Sequence, residues 1–229
     1  MSVATVRAPS TRRDRMLLLS LGVPVALALI GSAIAPFDRA TWLLEVAPVL
    51  IAAPVVALTW RRFPLTTLLC ILIALHSLVL ILGGTYTYAR VPMGFWLQEV
   101  LGLERNPYDR LGHLMQGFVP AILSREILIR GGHVGGRRML AFVCVCIPLA
   151  FSAVYELIEW WSALLLGGGS VDFLGTQGDV WDAQADMFCA LIGAIAALFF
   201  LSPLHDRQLA TLNATKTPPG DSGGVRVTN

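Results

Sequence analysis

The chain has 229 residues, 55% hydrophobic and only 14% charged, and its net charge of +2 rests on 17 basic residues against 15 acids. Most of such a chain must face something other than water, which excludes an ordinary soluble domain. Sixteen of the basic residues are arginines clustered between apolar runs, not the basic stripe of a nucleic-acid binder, so nucleic acid is not an expected partner.

The apolar runs are near 20 residues long, the span of a hydrocarbon core about 30 Å thick. They predict six transmembrane helices, at about 16–36, 41–60, 64–83, 109–130, 138–165 and 181–203. Helices are required because lipid offers no partner to unpaired backbone groups, and none of the runs alternates as a barrel strand does. The expected fold is therefore all-α: a polytopic bundle of six transmembrane helices over residues 1–206.

The first run follows Arg7, Arg12, Arg13 and Arg15, as a signal peptide would, but it is too long and Pro36-Phe37-Asp38-Arg39 is a poor cleavage site. It reads as a retained signal-anchor helix. Pro24, Pro48, Pro54, Pro120 and Pro148 lie inside the spans, where kinks are expected and neighbouring helices accommodate them. Between spans three and four, residues 84–108 contain "VPMGFWLQEVLGL". Phe95, Trp96, Val100, Leu101 and Leu103 make either the apolar side of a short helix lying on the membrane or a folded loop with an aromatic anchor. "GGHVGGRR" at 131–138 reads as a tight linker, and the glycine-rich 166–180 as a turn-laden cap over the bundle mouth. The tail, 207–229, has little to bury and is expected to be disordered.

Arginine placement sets the orientation. With the N-terminus in the cytoplasm, thirteen basic residues fall in cytoplasmic segments and four, Arg39, Arg90, Arg105 and Arg110, fall outside. That bias predicts both termini to be cytoplasmic. Cys70, Cys144, Cys146 and Cys189 all lie in apolar runs and read as buried thiols; Cys144 and Cys146, two apart, point to different helix faces.

Alternating the six directions converges the acids. Asp109 and His113 share a face in the first outer turns of span four; Glu156 and Glu159 lie in the outer third of span five; Asp179, Asp182 and Asp186 open span six; and His76 reaches a similar depth on span three. Several of these residues have ordinary readings beside the functional one. Asn106-Pro107-Tyr108-Asp109 fits a helix start with Asn as cap, Asp179 fits an N-cap, Asp182 fits an interfacial solvated acid, and His76 fits a packing residue. Glu126, four residues before Arg130, reads as an interfacial salt bridge.

Glu156, Glu159 and Asp186 resist such readings. An ionised carboxylate inside the bilayer costs about 2.5 kcal/mol or more, and the two glutamates also face the negative end of their helix. Six acids stand against two rim arginines, Arg105 and Arg110, which favours a bound cation or a shared proton. Asp109, His113, Asp182 and Asp186 are the expected metal ligands, for a divalent ion such as Zn, Mn, Fe or Mg; Glu156 or Glu159 is the expected general base; Gln116 and Tyr155 are expected to supply outer hydrogen bonds.

At "NPYDRLGHLMQGFVPAILSREILIR", "AFSAVYELIEWW" and "FLGTQGDVWDAQADMFCALIGA" the chain looks like the YjdF family of bacterial inner-membrane proteins, over roughly residues 60–203. The Asp109 to His113 spacing, the acidic pair in the next span, and Asp186 followed by Gly193 are similar to a pattern in VanZ-like membrane proteins, linked to glycopeptide-antibiotic resistance. These resemblances imply a polytopic inner-membrane protein and no substrate.

Three functions fit the residues: a metal-assisted hydrolase or transferase acting on a lipid-linked or cell-envelope substrate, a small proton-coupled transporter, and a structural membrane protein with a stabilising cation site. No H-E-x-x-H, G-x-S-x-G or P-loop is present to name a reaction.

Overall fold

The structure, a computed structural model, describes residues 12–166 and 176–214. Among these residues every regular element is helical: α1 Arg12–Ile34, α2 Arg39–Thr59, α3 Thr67–Tyr86, a single 3-10 turn Tyr88–Arg90, α4 Pro92–Leu101, α5 Tyr108–Gly131, α6 Arg137–Leu166 and α7 Asp182–Ala214. Five of them, α1, α2, α3, α6 and α7, are long and apolar enough to cross a membrane. α5 has the length, 24 residues or about 36 Å, but it carries polar residues at both ends.

Those polar residues explain where α5 sits. It packs against α3, α6 and α7, and its buried positions include Asp109, His113, Arg125 and Glu126 as well as Val119 and Ile122. A helix enclosed by others presents protein, not lipid, to its polar groups. α1 is the opposite case: it packs on α3 and leaves Leu19, Leu27 and Ile30 exposed on the outside of the bundle, where a hydrocarbon solvent covers them.

The seam between α5 and α7 is the tightest. A methyl group added to Gly117 would overlap the backbone carbonyl of Ala190, and one added to Gly193 would overlap that of Leu114. Small residues permit this backbone approach, which large side chains would prevent. The seam brings Asp186, two turns before Gly193, to the level of His113, one turn before Gly117. Between the two ends of α5 lies an apolar layer that includes Leu69, Leu72, Val119, Ile122, Ala194 and Ala197.

Several expectations meet the coordinates directly. The five prolines lie inside uninterrupted helices. The 84–108 segment contains a helix, α4, with Phe95, Trp96, Val100 and Leu101 exposed along it. The bundle's final helix runs on to Ala214, past Pro203, so residues 207–214 are helical where disorder is expected; His205 and Leu209 are buried there and hold the extension down. Cys144 is buried and Cys146 exposed, on opposite faces as their spacing requires. The exposed Cys146 departs from a buried thiol because lipid spares an apolar side chain the need for protein cover. Residues 167–175, most of the glycine-rich segment, and 215–229 of the tail lie outside the described residues.

Candidate metal centre

Asn106 sets the geometry at the N-terminal end of α5. Its side-chain oxygen accepts the Tyr108 N–H at 3.0 Å, and its amide donates to the carbonyls of Ala89 (3.2 Å) and Val91 (3.1 Å). Gln177 completes the clamp, accepting the Asn106 N–H at 3.0 Å and donating to its carbonyl at 2.9 Å. The turn before α4, the start of α5 and the approach to α7 are thus tied at one fully buried residue. Gly94 belongs to this clamp, since any side chain there would overlap the Asn106 amide.

Two arginines form the rim. Arg110 donates to Asp179 at 2.7 Å. Arg105 hydrogen-bonds Asp182 and lies 3.5 Å from Asp179 and 3.8 Å from Asp109. Burial works against the charge on Arg105, but the hydrogen bond and charge of Asp182 outweigh it and raise its pKa. Asp179 also accepts the Trp181 N–H at 2.9 Å, closing a turn before α7 rather than capping it.

Beneath the rim the acids meet the imidazole. His113 Nε2 lies 3.4 Å from Glu156 Oε1 and 3.7 Å from Asp109 Oδ1, while Nδ1 is 3.4 Å from the Ser152 hydroxyl. Two sets of three side chains bring ligand atoms within 4.8 Å of one another: Asp109, His113 and Asp186, and His113, Glu156 and Glu159. Buried polar atoms normally find a hydrogen-bond partner. Asp186 Oδ1, Glu156 Oε1 and Gln116 Oε1 are buried with none, and Asp186 as a residue is only 2% exposed. The four carboxylates and one imidazole in these sets are hard or borderline ligands, suited to Zn, Mn, Fe or Mg.

The structure therefore gathers Asp109, His113, Glu156, Glu159 and Asp186 and places Asp182 one layer outward, against Arg105. His76, on α3, belongs to neither ligand set and keeps a buried Nε2 without a hydrogen-bond partner. Tyr155 stands edge-on to His113, ring centroids 6.1 Å apart, and donates its hydroxyl to Glu45 Oε2 at 2.9 Å. Glu45, buried on α2, is a participant that sequence reasoning missed. A solitary acid in the run "WLLEVAP" carries the same signal as Asp186 and could have been followed.

A second polar cluster occupies the other end of α5. Glu126 does pair with Arg130, at 2.7 Å, and it is fully buried within the bundle. Its Oε1 also accepts the Thr66 N–H at 3.1 Å, and its Oε2 contacts the Thr66 hydroxyl at 2.7 Å and His205 Nε2 at 3.1 Å. Arg125 joins from the next position, 3.0 Å from His205 Nδ1 and 2.6 Å from Asp206. Arg130 donates to the Pro64 carbonyl at 2.6 Å and covers the Phe63 ring. Since Thr66 caps α3, Glu126 also sets a negative charge at the positive end of that helix.

Long apolar helices around a polar central one, with carboxylates enclosed at its N-terminal end, define a multi-pass helical membrane protein. The family model described as "Predicted membrane protein (DUF2238)" matches residues 17–207, and the chain belongs to that family. It is similar to the inner membrane protein YjdF of Escherichia coli (strain K12), with 56% identity over 200 residues, 87% of this chain and 96% of that one. No solved structure matches it significantly.

Proposed function

We propose that this chain spans the bacterial inner membrane six times with both termini in the cytoplasm, and that its outer cluster binds a divalent cation used in metal-assisted hydrolysis or transfer on a lipid or cell-envelope substrate. The 56% identical relative described as an inner membrane protein supports the location, and the arginine bias supports the orientation. α5 supplies the sixth span because its polar face is turned inward.

The observation that carries the cation is Asp186 Oδ1: a buried carboxylate oxygen without a donor, on a residue that forms a ligand set with Asp109 and His113. A cation satisfies it where no protein group does. Bound there, a divalent ion lowers the pKa of a water or polarises an ester or phosphoryl oxygen. Glu156, its Oε1 without a hydrogen-bond partner, is placed to accept the proton of that water, with Glu159 one turn further on. A proton-coupled transporter is the weaker reading, because the apolar layer around Val119 and Ile122 separates the outer cluster from Glu126.

Elemental analysis of the detergent-purified protein beside Asp186→Asn tests this. Metal is expected in the parent and strongly reduced in the variant; a chelator-stripped, natively folded parent that takes up no Zn, Mn, Fe or Mg overturns it.

A further inference from the structure

The two ligand sets share one imidazole, and an imidazole nitrogen has a single lone pair. His113 Nε2 faces both Asp109 and Glu156, so it can complete the coordination of only one ion. With Nδ1 engaged by the Ser152 hydroxyl, at 3.4 Å, Nε2 is the nitrogen left to ligate. Each set nevertheless contains its own carboxylate oxygen without a hydrogen bond: Asp186 Oδ1 in the first, Glu156 Oε1 in the second. One ion on Asp109, His113 and Asp186 therefore leaves the glutamate pair of α6 to be accounted for.

Charge points the same way. The rim arginines hydrogen-bond Asp179 and Asp182, and Arg105 comes no nearer than 3.8 Å to Asp109, so Asp109, Glu156, Glu159 and Asp186 are four carboxylates around one imidazole. When all four are ionised, one divalent cation leaves two negative charges in a low-dielectric enclosure, and two cations balance them. Uncompensated buried charge is what such sites avoid.

We infer that the outer cluster is a two-cation centre: one divalent ion on Asp109, His113 and Asp186, a second on Glu156 and Glu159, with the Glu156 carboxylate, 3.4 Å from the His113 Nε2 of the first set, as the bridge. The inference rests on the cation reading above and changes one part of it, since Glu156 and Glu159 become ligands rather than the general base. Paired ions of this kind clamp the attacking and leaving oxygens of an in-line displacement, a geometry that suits phosphate esters, here of a lipid or envelope component.

The test is a metal count on the full-length protein in detergent, stripped with chelator and dialysed against Mn2+. Two ions per chain, with an exchange-coupled Mn2+ pair signal in the electron paramagnetic resonance spectrum, are expected. Glu159→Gln is expected to reduce the count to one and abolish the pair signal while Asp109, His113 and Asp186 retain their ion. One ion per chain in the parent, with only isolated Mn2+ signals, overturns the two-cation centre and leaves the single-cation reading standing; no ion overturns both. Because the parent titration alone decides between these outcomes, a variant that fails to fold does not rescue the inference.

Discussion

The two ends of α5 are built from the same materials and finished differently. Each encloses a carboxylate with a histidine and arginines nearby, and each joins α5 to α7. At the inner end both oxygens of Glu126 are saturated: Oε1 by Arg130 and the Thr66 amide, Oε2 by the Thr66 hydroxyl and His205. At the outer end oxygens of Glu156 and Asp186 are left over. A closed network rigidifies and specifies a fold, whereas an open one in the same low-dielectric setting costs free energy until something binds. Burial of charge alone therefore does not mark a functional site; unfilled hydrogen-bonding capacity does.

The largest expected effect comes from breaking the closed end. Glu126→Ala strands Arg130 and His205 without their shared carboxylate and should lower stability by about 3–5 kcal/mol, read as a fall in the thermal midpoint in detergent, with the metal content of the folded fraction unchanged. The open end should respond with the opposite sign. In chelator-stripped protein Asp186→Asn removes the charge from a buried carboxylate whose Oδ1 has no donor, so the midpoint should rise, by about 1–3 kcal/mol in stability; a fall of similar size would show that Asp186 is as well satisfied as Glu126.

Asp38 calibrates both, because it lies away from either cluster and has one task. It caps α2 by accepting the Thr41 N–H at 2.7 Å, and that backbone hydrogen bond holds its carboxyl below the usual carboxylate range. Asp38→Ala should cost about 1 kcal/mol at neutral pH. A depressed pKa stabilises the fold above the unfolded value of about 3.9, so the difference between parent and variant should persist down to that pH and shrink as the pH falls through the lower folded value.

Much of this architecture can be read from residues alone, for a physical reason: hydrocarbon thickness imposes a length, and the same solvent makes every intramembrane acid conspicuous. Asp109, His113, Glu156, Glu159 and Asp186 stand out in that way, and directional alternation of the spans brings them together. Asp182 stands out equally, yet a single arginine contact displaces it to the rim, and no spacing rule reveals which carboxylate Arg105 selects. Glu45 is hidden because it is alone on its helix. His205 is hidden because the apolar run has ended before it, and a window matched to the bilayer discards the polar turns that follow. The inner cluster needs those turns, since its partners lie 79 residues apart in the chain.

The Gly117 and Gly193 crossing has a mechanical consequence. Backbones in direct contact make a fulcrum, from which Asp186 lies seven residues away along α7 and His205 twelve, about 10 and 18 Å. Any rocking of α7 on that pivot swings its inner arm nearly twice as far as its outer one. The lock around Glu126 thus grips the long end of the lever, and by doing so steadies Asp186 on the short one.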